Sequence, residues 1–425
     1  MRTLKYVIIW PLAVLTALAQ PPEERTRQAL DMVLAGKYGV FYAQFSPEMK
    51  KAITLAAYAA QAGRLLADLG TPLSQDPPHT RYIGGSATVA ITLHFAQANL
   101  NFVVSWNPAG QIQGTWFRPP EAKSPPPYET PAYSQPDSFT AHDITVGDDE
   151  WKLPGTLTIP RGKGPWPGVV LVHGSGPVDR DETVGGVRVF RDLAEGLSTR
   201  GVAVLRFDKR TKVYPQQCAA DPNFTMTRET VEDAVRAAAV LLHQDEIDPR
   251  RIYVLGHSQG GYMMPRIMHA DPGLAGVVVM AGSVRPLEEL ILEQFEYIFS
   301  LKGELTAAQR AQLDAIRQNP WKVLPGVTEK YKADLKDYHP AALAAESNLP
   351  MLLLQGERDY QVRMKDFDLW KAGLAHRTNV TMRSYPALNH LFVTGEGKST
   401  PEAYDKTGHV SPEVIDDIAR WITGR

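Results

Sequence analysis

The sequence predicts an α/β fold: a mostly parallel, doubly wound sheet with a helical cap, preceded by a small α+β domain. Three observations lead there. From about Phe139 onward, short apolar segments alternate with helical patterns. One of those segments, Gly168 to His173, is a continuous apolar run, as required of a strand buried on both faces. Upstream, a helical block gives way to segments with a two-residue period.

The 425 residues are too many for one ordinary core, so two domains are expected. The first covers residues 22–118. Helical patterns span Thr26 to Leu34, Tyr38 to Phe45 and Thr54 to Leu69. After Pro72 the period becomes two: Val89, Ile91, Leu93 and Phe95 alternate with Ala90, Thr92 and His94. Leu100, Phe102, Val104 and Trp106 repeat the pattern, and Ile112 and Trp116 mark a third run. Helices followed by antiparallel strands with one apolar face make an α+β unit. Its histidines, His79 and His94, have no partners at ligand spacing and read as structural.

Residues 119–138 form a linker. Seven prolines fall between Pro119 and Pro136, and proline removes donors and favours extended chain, so a semi-rigid spacer is expected.

The second domain covers residues 139–425. Leading strands are expected at Phe139 to Val146 and Gly155 to Ile159, then at Gly168 to His173, Val202 to Asp208, Arg251 to Gly256, Ala275 to Ala281, Met351 to Gln355 and Val380 to Tyr385. Helices are expected at Val187 to Thr199, Thr227 to His243, Gln259 to His269 and Ile415 to Ile422. This alternation argues for a mainly parallel sheet with helices on both faces. Residues 285–345 interrupt the rhythm with helical, apolar sequence (Leu290, Ile291, Phe295, Tyr297, Phe299, Trp321) and read as a cap over the carboxyl edge of the sheet.

Composition narrows the function. A net charge of −2 gives no broad basic field, so no nucleic-acid partner is expected. The single cysteine, Cys218, rules out an intramolecular disulfide and multi-thiolate zinc sites, and no metal is expected. Arg2 and Lys5 precede an apolar run from Tyr6 to Ala19 that ends in Ala17, Leu18 and Ala19, a small-x-small pattern. A signal peptide over residues 1–19, cleaved after Ala19, is expected, with an uncleaved N-terminal anchor as the alternative. The mature chain would be secreted or periplasmic, with no membrane span.

The chemistry-bearing residues lie in the second domain. Gly256, His257, Ser258, Gln259 and Gly260 form G-x-S-x-G between an apolar strand and a helix. A serine on so sharp a turn needs small neighbours two positions away on either side, and the turn presents its hydroxyl above the sheet edge. Serine is a poor nucleophile until a base takes its proton. His390, after the last strand, is the candidate base; His376 and His409 sit less well, and His257 is part of the elbow itself. Asp359, after Met351 to Gln355, is the candidate acceptor that fixes the imidazole's tautomer. Glu357 is its nearest rival, and Asp366 and Asp368 read as solvated helix residues. A developing oxyanion needs preorganised donors. The backbone N–H groups of Gln259 and of Ser175, in His173-Gly174-Ser175-Gly176-Pro177, are the candidates. His173 reads as structural. Met263 and Met264, just past the elbow, are expected to line the pocket. Two charged clusters, Asp179 to Glu182 and Arg206 to Arg210, pair with each other to shape the mouth, contact a charged substrate, or face solvent.

The buried strand with His-Gly-Ser-Gly-Pro, the elbow, Gln355-Gly356-Glu357-Arg358-Asp359 and Asn389-His390 together resemble an α/β-hydrolase of the serine aminopeptidase-like and bacterial esterase group. The order serine, aspartate, histidine is that family's order. The Gly-Gly-Gly oxyanion loop of hormone-sensitive-lipase relatives is absent. The resemblance implies hydrolysis of a small-molecule ester, thioester or amide through an acyl-enzyme, without cofactor. In element order and position, residues 22–118 resemble the small domains of nuclear-transport-factor or cystatin type that precede some bacterial hydrolases. The leading expectation is a carboxylic-ester hydrolase acting on small to medium acyl groups. An aminopeptidase, acyltransferase or thioesterase is the first alternative, with Asp179, Asp181 and Glu182 as the only evident clamp for a free amino group. A non-catalytic envelope ligand-binding protein is the second. Oligomeric state is not readable from the sequence.

Overall fold

The computed structural model describes residues 20–424, apart from 84, 96–98, 120–125, 149, 302 and 325–326. The expected signal peptide and residues 120–125 of the expected linker lie outside the described residues. The chain divides into two compact units between Lys123 and Ser124.

In the first unit, helices Pro22–Leu34, Tyr38–Ala43, Pro47–Ala52 and Leu55–Leu69 precede β1 (Ser74–Gln75), β2 (His79–Ile83), β3 (Ser86–His94), β4 (Asn99–Trp106) and β5 (Ile112–Arg118). All pairings are antiparallel, in the order β1-β3-β4-β5 with β2 also on β3. Alternation along β3 buries Val89, Ile91 and Leu93 in one cluster with Ala29, Leu30 and Val33 of the first helix. Thr26, fully buried, accepts from Trp106 Nε1 at 2.9 Å, which satisfies the indole donor. His94 is held by Asp76 at 2.8 Å and Asn99 at 3.0 Å, a structural role.

The second unit contains β6 (Phe139–Val146), β7 (Leu153–Pro160), β8 (Trp166–Val172), a small ribbon of β9 (Thr183–Val184) and β10 (Val187–Arg188), β11 (Ala203–Phe207), β12 (Ile247–His257), β13 (Gly276–Met280), β14 (Met351–Gly356) and β15 (Val380–Tyr385). The main sheet has the order β15-β14-β13-β12-β8-β11-β7-β6. It is parallel from β15 to β11 and antiparallel at β7 and β6. Neighbouring residues of the central strands feed two separate cores. Val170, Val172 and Val254 join one with the helix Glu232–Leu242, while Val169, Leu171 and Leu255 join the other with Val189–Ser198 and Pro412–Thr423. That division is the period-two alternation of a sheet covered on both faces.

Three departures from the sequence reading follow from tertiary context. The long helix expected at Thr227 to His243 opens with a π-type turn, Thr227–Val231, before Glu232–Leu242. The helix after Ser258 breaks into Gln259–Tyr262 and Met264–Ala270, with Pro265 in the first turn of the second. Proline at that position lacks the donor that a continuous helix needs. The third concerns the linker: residues 126–138 are docked on the second unit rather than free. Tyr128 donates to Asp192 at 2.8 Å, Ser134 to Glu195 at 2.9 Å, and Arg191 lies 3.8 Å over the Tyr128 ring.

Between β13 and β14 lie helices Leu287–Ser300, Ala307–Gln318, Glu329–Leu335 and Pro340–Ala345. Thr306 and Gln309 form a reciprocal capping box at the second, and Thr328 caps the third. Among the described residues no helix is long and apolar enough to cross a membrane.

Candidate active site

β12 runs into the helix Gln259–Tyr262 through Ser258, whose φ of 51° and ψ of −111° are strained for a residue with a side chain. Close packing sustains that conformation. Ser258 N donates to Met280 O at 2.9 Å, and Tyr262 N to Ser258 O at 2.8 Å. A Cβ on Gly256 would sit 2.4 Å from the Gly260 backbone, and one on Gly260 2.2 Å from Val172 O. Only glycine allows those approaches.

Two further loops bring side chains to this point. After β15, Asn389 Oδ1 accepts from Leu391 N at 3.0 Å and Val393 N at 3.1 Å, folding a tight turn around His390. His390 Nε2 lies 3.1 Å from Ser258 Oγ, and its Nδ1 lies 2.6 Å from Asp359 Oδ2. After β14, Asp359 Oδ1 accepts from Gln361 N at 2.7 Å and Val362 N at 3.0 Å, while Gln355 Nε2 donates to Oδ2 at 3.1 Å. The carboxylate is thus aimed at the imidazole. The three residues singled out by sequence therefore meet at the carboxyl edge of the parallel strands. Their rivals are occupied elsewhere or exposed: His409 faces Asp192 at 3.1 Å, Glu357 accepts from Ser384 at 2.8 Å, and His376 is exposed.

Ser175 and Gln259 line the same cavity as Ser258, a space of about 330 Å³. Met263 and Met264 do not. Both are fully buried in the core beneath the sheet edge, because the short first helix turns them away from the opening. The apolar wall comes instead from Met226, Tyr262 and the cap residues Leu287, Leu290, Ile291 and Tyr331. Asp366, expected to be solvated, is fully buried and takes the Arg285 guanidinium at 2.7 Å.

The charged clusters pair with one another and with nearby acids. Arg180 meets Asp208 at 2.9 Å, Arg206 meets Asp181 at 2.8 Å, and Arg210 meets Asp233 at 2.5 Å. Asp179 accepts from Thr183 N at 3.0 Å. Glu182 is buried: its Oε1 accepts from Gly174 N at 2.5 Å, and its Oε2 lies 3.1 Å from His257 Nδ1, off the line of a directed hydrogen bond. His257 Nε2 reaches the His390 carbonyl at 3.0 Å. Burial disfavours both charges, but each partner outweighs it, so His257 is held above and Glu182 below its ordinary range. All three acids that might have clamped an amino group are thus committed within the protein. Lys209 Nζ donates to Gly174 O at 2.7 Å and pairs with Glu229 at 3.1 Å. The sequence does not reveal these contacts of Glu182, His257, Lys209 and Glu229, because the partners lie on separate segments.

His173 is 2% exposed, packs against Phe190 and Phe207 at ring distances of 5.0 and 5.2 Å, and is pushed by burial down to about 4. Cys218 is buried, and burial pushes its thiol up to about 11. Among the described residues no group of three or more His, Cys, Asp or Glu side chains is placed to hold a metal ion.

The family model described as "Alpha/beta hydrolase family" matches residues 169–415, and the chain belongs to that family. Esterase EstD of Thermotoga maritima is 41% identical over 338 residues, covering 78% of each chain. Solved structures include a hyperthermophilic esterase from Pyrobaculum calidifontis, 21% identical, covering 67% of this chain and 85% of that one at a TM-score of 0.46. An esterase from Pyrococcus furiosus is 17% identical, covering 70% and 97% at a TM-score of 0.44.

Proposed function

We propose that the chain hydrolyses carboxylic esters with small to medium acyl groups through an acyl-enzyme on Ser258. The observation that carries this reading is the unbroken line Ser258 Oγ–His390–Asp359 at 3.1 and 2.6 Å, with Ser258 lining a largely apolar cavity. The chain is a carboxylic-ester hydrolase of the alpha/beta hydrolase family, and the 41% identical relative is itself named an esterase.

The chemistry follows from the geometry. His390 Nε2 takes the Ser258 proton as Oγ bonds to the ester carbonyl carbon. Negative charge moves to the carbonyl oxygen, where the Gln259 and Ser175 N–H groups receive it. Asp359 stabilises the imidazolium. The imidazolium returns the proton to the departing alcohol, the C–O bond breaks, and the acyl group stays on Ser258. Water then adds to the acyl carbon by the same proton route, releasing the carboxylic acid and restoring the serine. At about 330 Å³ the cavity lies at the small end of ligand pockets, which suits short and medium acyl chains.

Hydrolysis of p-nitrophenyl esters of graded chain length tests the reading. Ser258→Ala should fold normally and lose turnover and fluorophosphonate labelling; a folded Ser258→Ala that keeps turnover would refute it. A parallel panel of aminoacyl amides should be cleaved poorly. We also propose export, from the charged start and apolar run of residues 2–19. Recovery of a mature chain beginning at Gln20 from the periplasm or medium checks this; a full-length chain retained in the cytoplasm sinks it.

A further inference from the structure

Resting on the serine-hydrolase reading, we infer that Lys209 and Glu182 are positioning residues that fix the Ser175 amide as an oxyanion donor by gripping the two peptide groups of Gly174. The Ser175 N–H belongs to the same peptide as the Gly174 carbonyl. In a trans peptide these two groups point in opposite directions. Lys209 Nζ donates to that carbonyl at 2.7 Å. Holding the oxygen therefore aims the N–H the other way. Glu182 accepts from the preceding peptide's N–H, that of Gly174, at 2.5 Å.

The segment needs such a grip. Gly174 and Gly176 give it backbone freedom, and Gly176 has φ of 88°. It also lies hard against the nucleophile, since a Cβ on Gly174 would sit 3.3 Å from Ser258 Cβ. A small rotation of this peptide would move the donor out of line. Effects of this kind are large, because a donor acts only when it already points at the incipient charge.

The grip is made of charges taken out of water, 2% exposed at both Lys209 and Glu182. Each is compensated inside the protein. Lys209 pairs with Glu229 at 3.1 Å, and Glu229 accepts from the Gln259 side chain at 3.1 Å. Gln259 carries the second proposed donor on its backbone. Glu182 pairs with His257, which donates to the His390 carbonyl. One buried network thereby ties together the residues bearing both donors and the loop bearing the base. A cation on the Gly174 oxygen also polarises that amide and strengthens its N–H as a donor.

The test uses the full chain and three measurements: kcat and KM on a p-nitrophenyl ester, the affinity of an alkyl boronic acid, and the rate of fluorophosphonate labelling. Boronate forms a tetrahedral adduct that needs the oxyanion donors, whereas ground-state binding does not. Lys209→Met should lower kcat by about 10–100-fold and weaken boronate by the same factor, with KM within about threefold. Glu182→Gln keeps an acceptor for Gly174 N–H, so it should fall between the wild type and Glu182→Ala. If Lys209→Met does not fold, the ordering of the two Glu182 variants decides. Folded variants with wild-type kcat and boronate affinity, or with the whole loss in KM, overturn the positioning role while wild-type labelling at Ser258 stands. Absence of labelling in the wild type overturns the serine reading itself.

Discussion

Two regions border the cavity and are held in different ways. At Ser258 the backbone is confined on every side: Gly260 leaves 2.2 Å for a Cβ before Val172 O, and φ is 51°. Across the opening, the cap helix Leu287–Ser300 presents Leu287, Leu290 and Ile291 from ordinary helical backbone. The elbow has one workable backbone, while the cap is held by apolar packing that several side-chain sets would satisfy. On the proposed reading, reaction geometry belongs to the first region and substrate size to the second. Changes near the elbow should therefore alter kcat, and changes in the cap should alter chain-length preference.

The strongest test of that division lies beside the elbow. Asp359→Asn should lower kcat by about 10⁴-fold, because the amide favours the wrong imidazole tautomer. Steady-state kinetics with a matched unfolding curve would check it, and a loss under tenfold would break the contrast. A second test concerns stability with pH. His173 titrates at about 4 when folded and at about 6.5 when unfolded, so the unfolded chain binds the extra proton between those values. The contribution of neutral His173 to stability is complete above about pH 6.5 and should decline by up to about 3 kcal/mol as pH falls to 4. Denaturant unfolding across this range should show a steeper acid loss in the wild type than in His173→Asn; equal slopes would assign the loss to other groups.

The cap should respond more gently. Leu290→Ala enlarges the apolar wall and should raise kcat/KM for longer acyl esters relative to acetate by about tenfold, leaving acetate turnover near wild type. An unchanged chain-length profile would move size selection away from this helix. The smallest effect is expected at the outer surface of the cap. Arg317 meets Glu296 at 2.7 Å, but both are about half exposed, so Arg317→Ala should leave the melting temperature unchanged within error.

Legibility in the sequence followed the same divide. The buried run through Val172 was readable because a strand covered on both faces has no polar positions to interrupt it, and the edge strand Val380–Tyr385 because half-buried and exposed residues alternate along it. Ser258, Asp359 and His390 were readable because each closely follows a recognisable strand. Met263 and Met264 were misplaced because one continuous helix was assumed, whereas the chain breaks before Pro265 and turns both residues into the core. Asp366 was read as solvated because periodicity does not reveal that Arg285, 81 residues earlier, packs onto it. The Glu182–His257 and Lys209–Glu229 pairs were hidden for the same reason: their meaning lies in contacts between loops, and neither partner predicts the other along the chain.

The docked segment 126–138 bears on where this molecule can be cut. A recombinant fragment starting at Phe139 would retain every strand of the large sheet, yet it would strip Tyr128 from Asp192 and Ser134 from Glu195, both of them buried carboxylates. Excision for expression or domain swapping is better made ahead of Pro126, so that the helix Val189–Ser198 keeps its proline-rich binding.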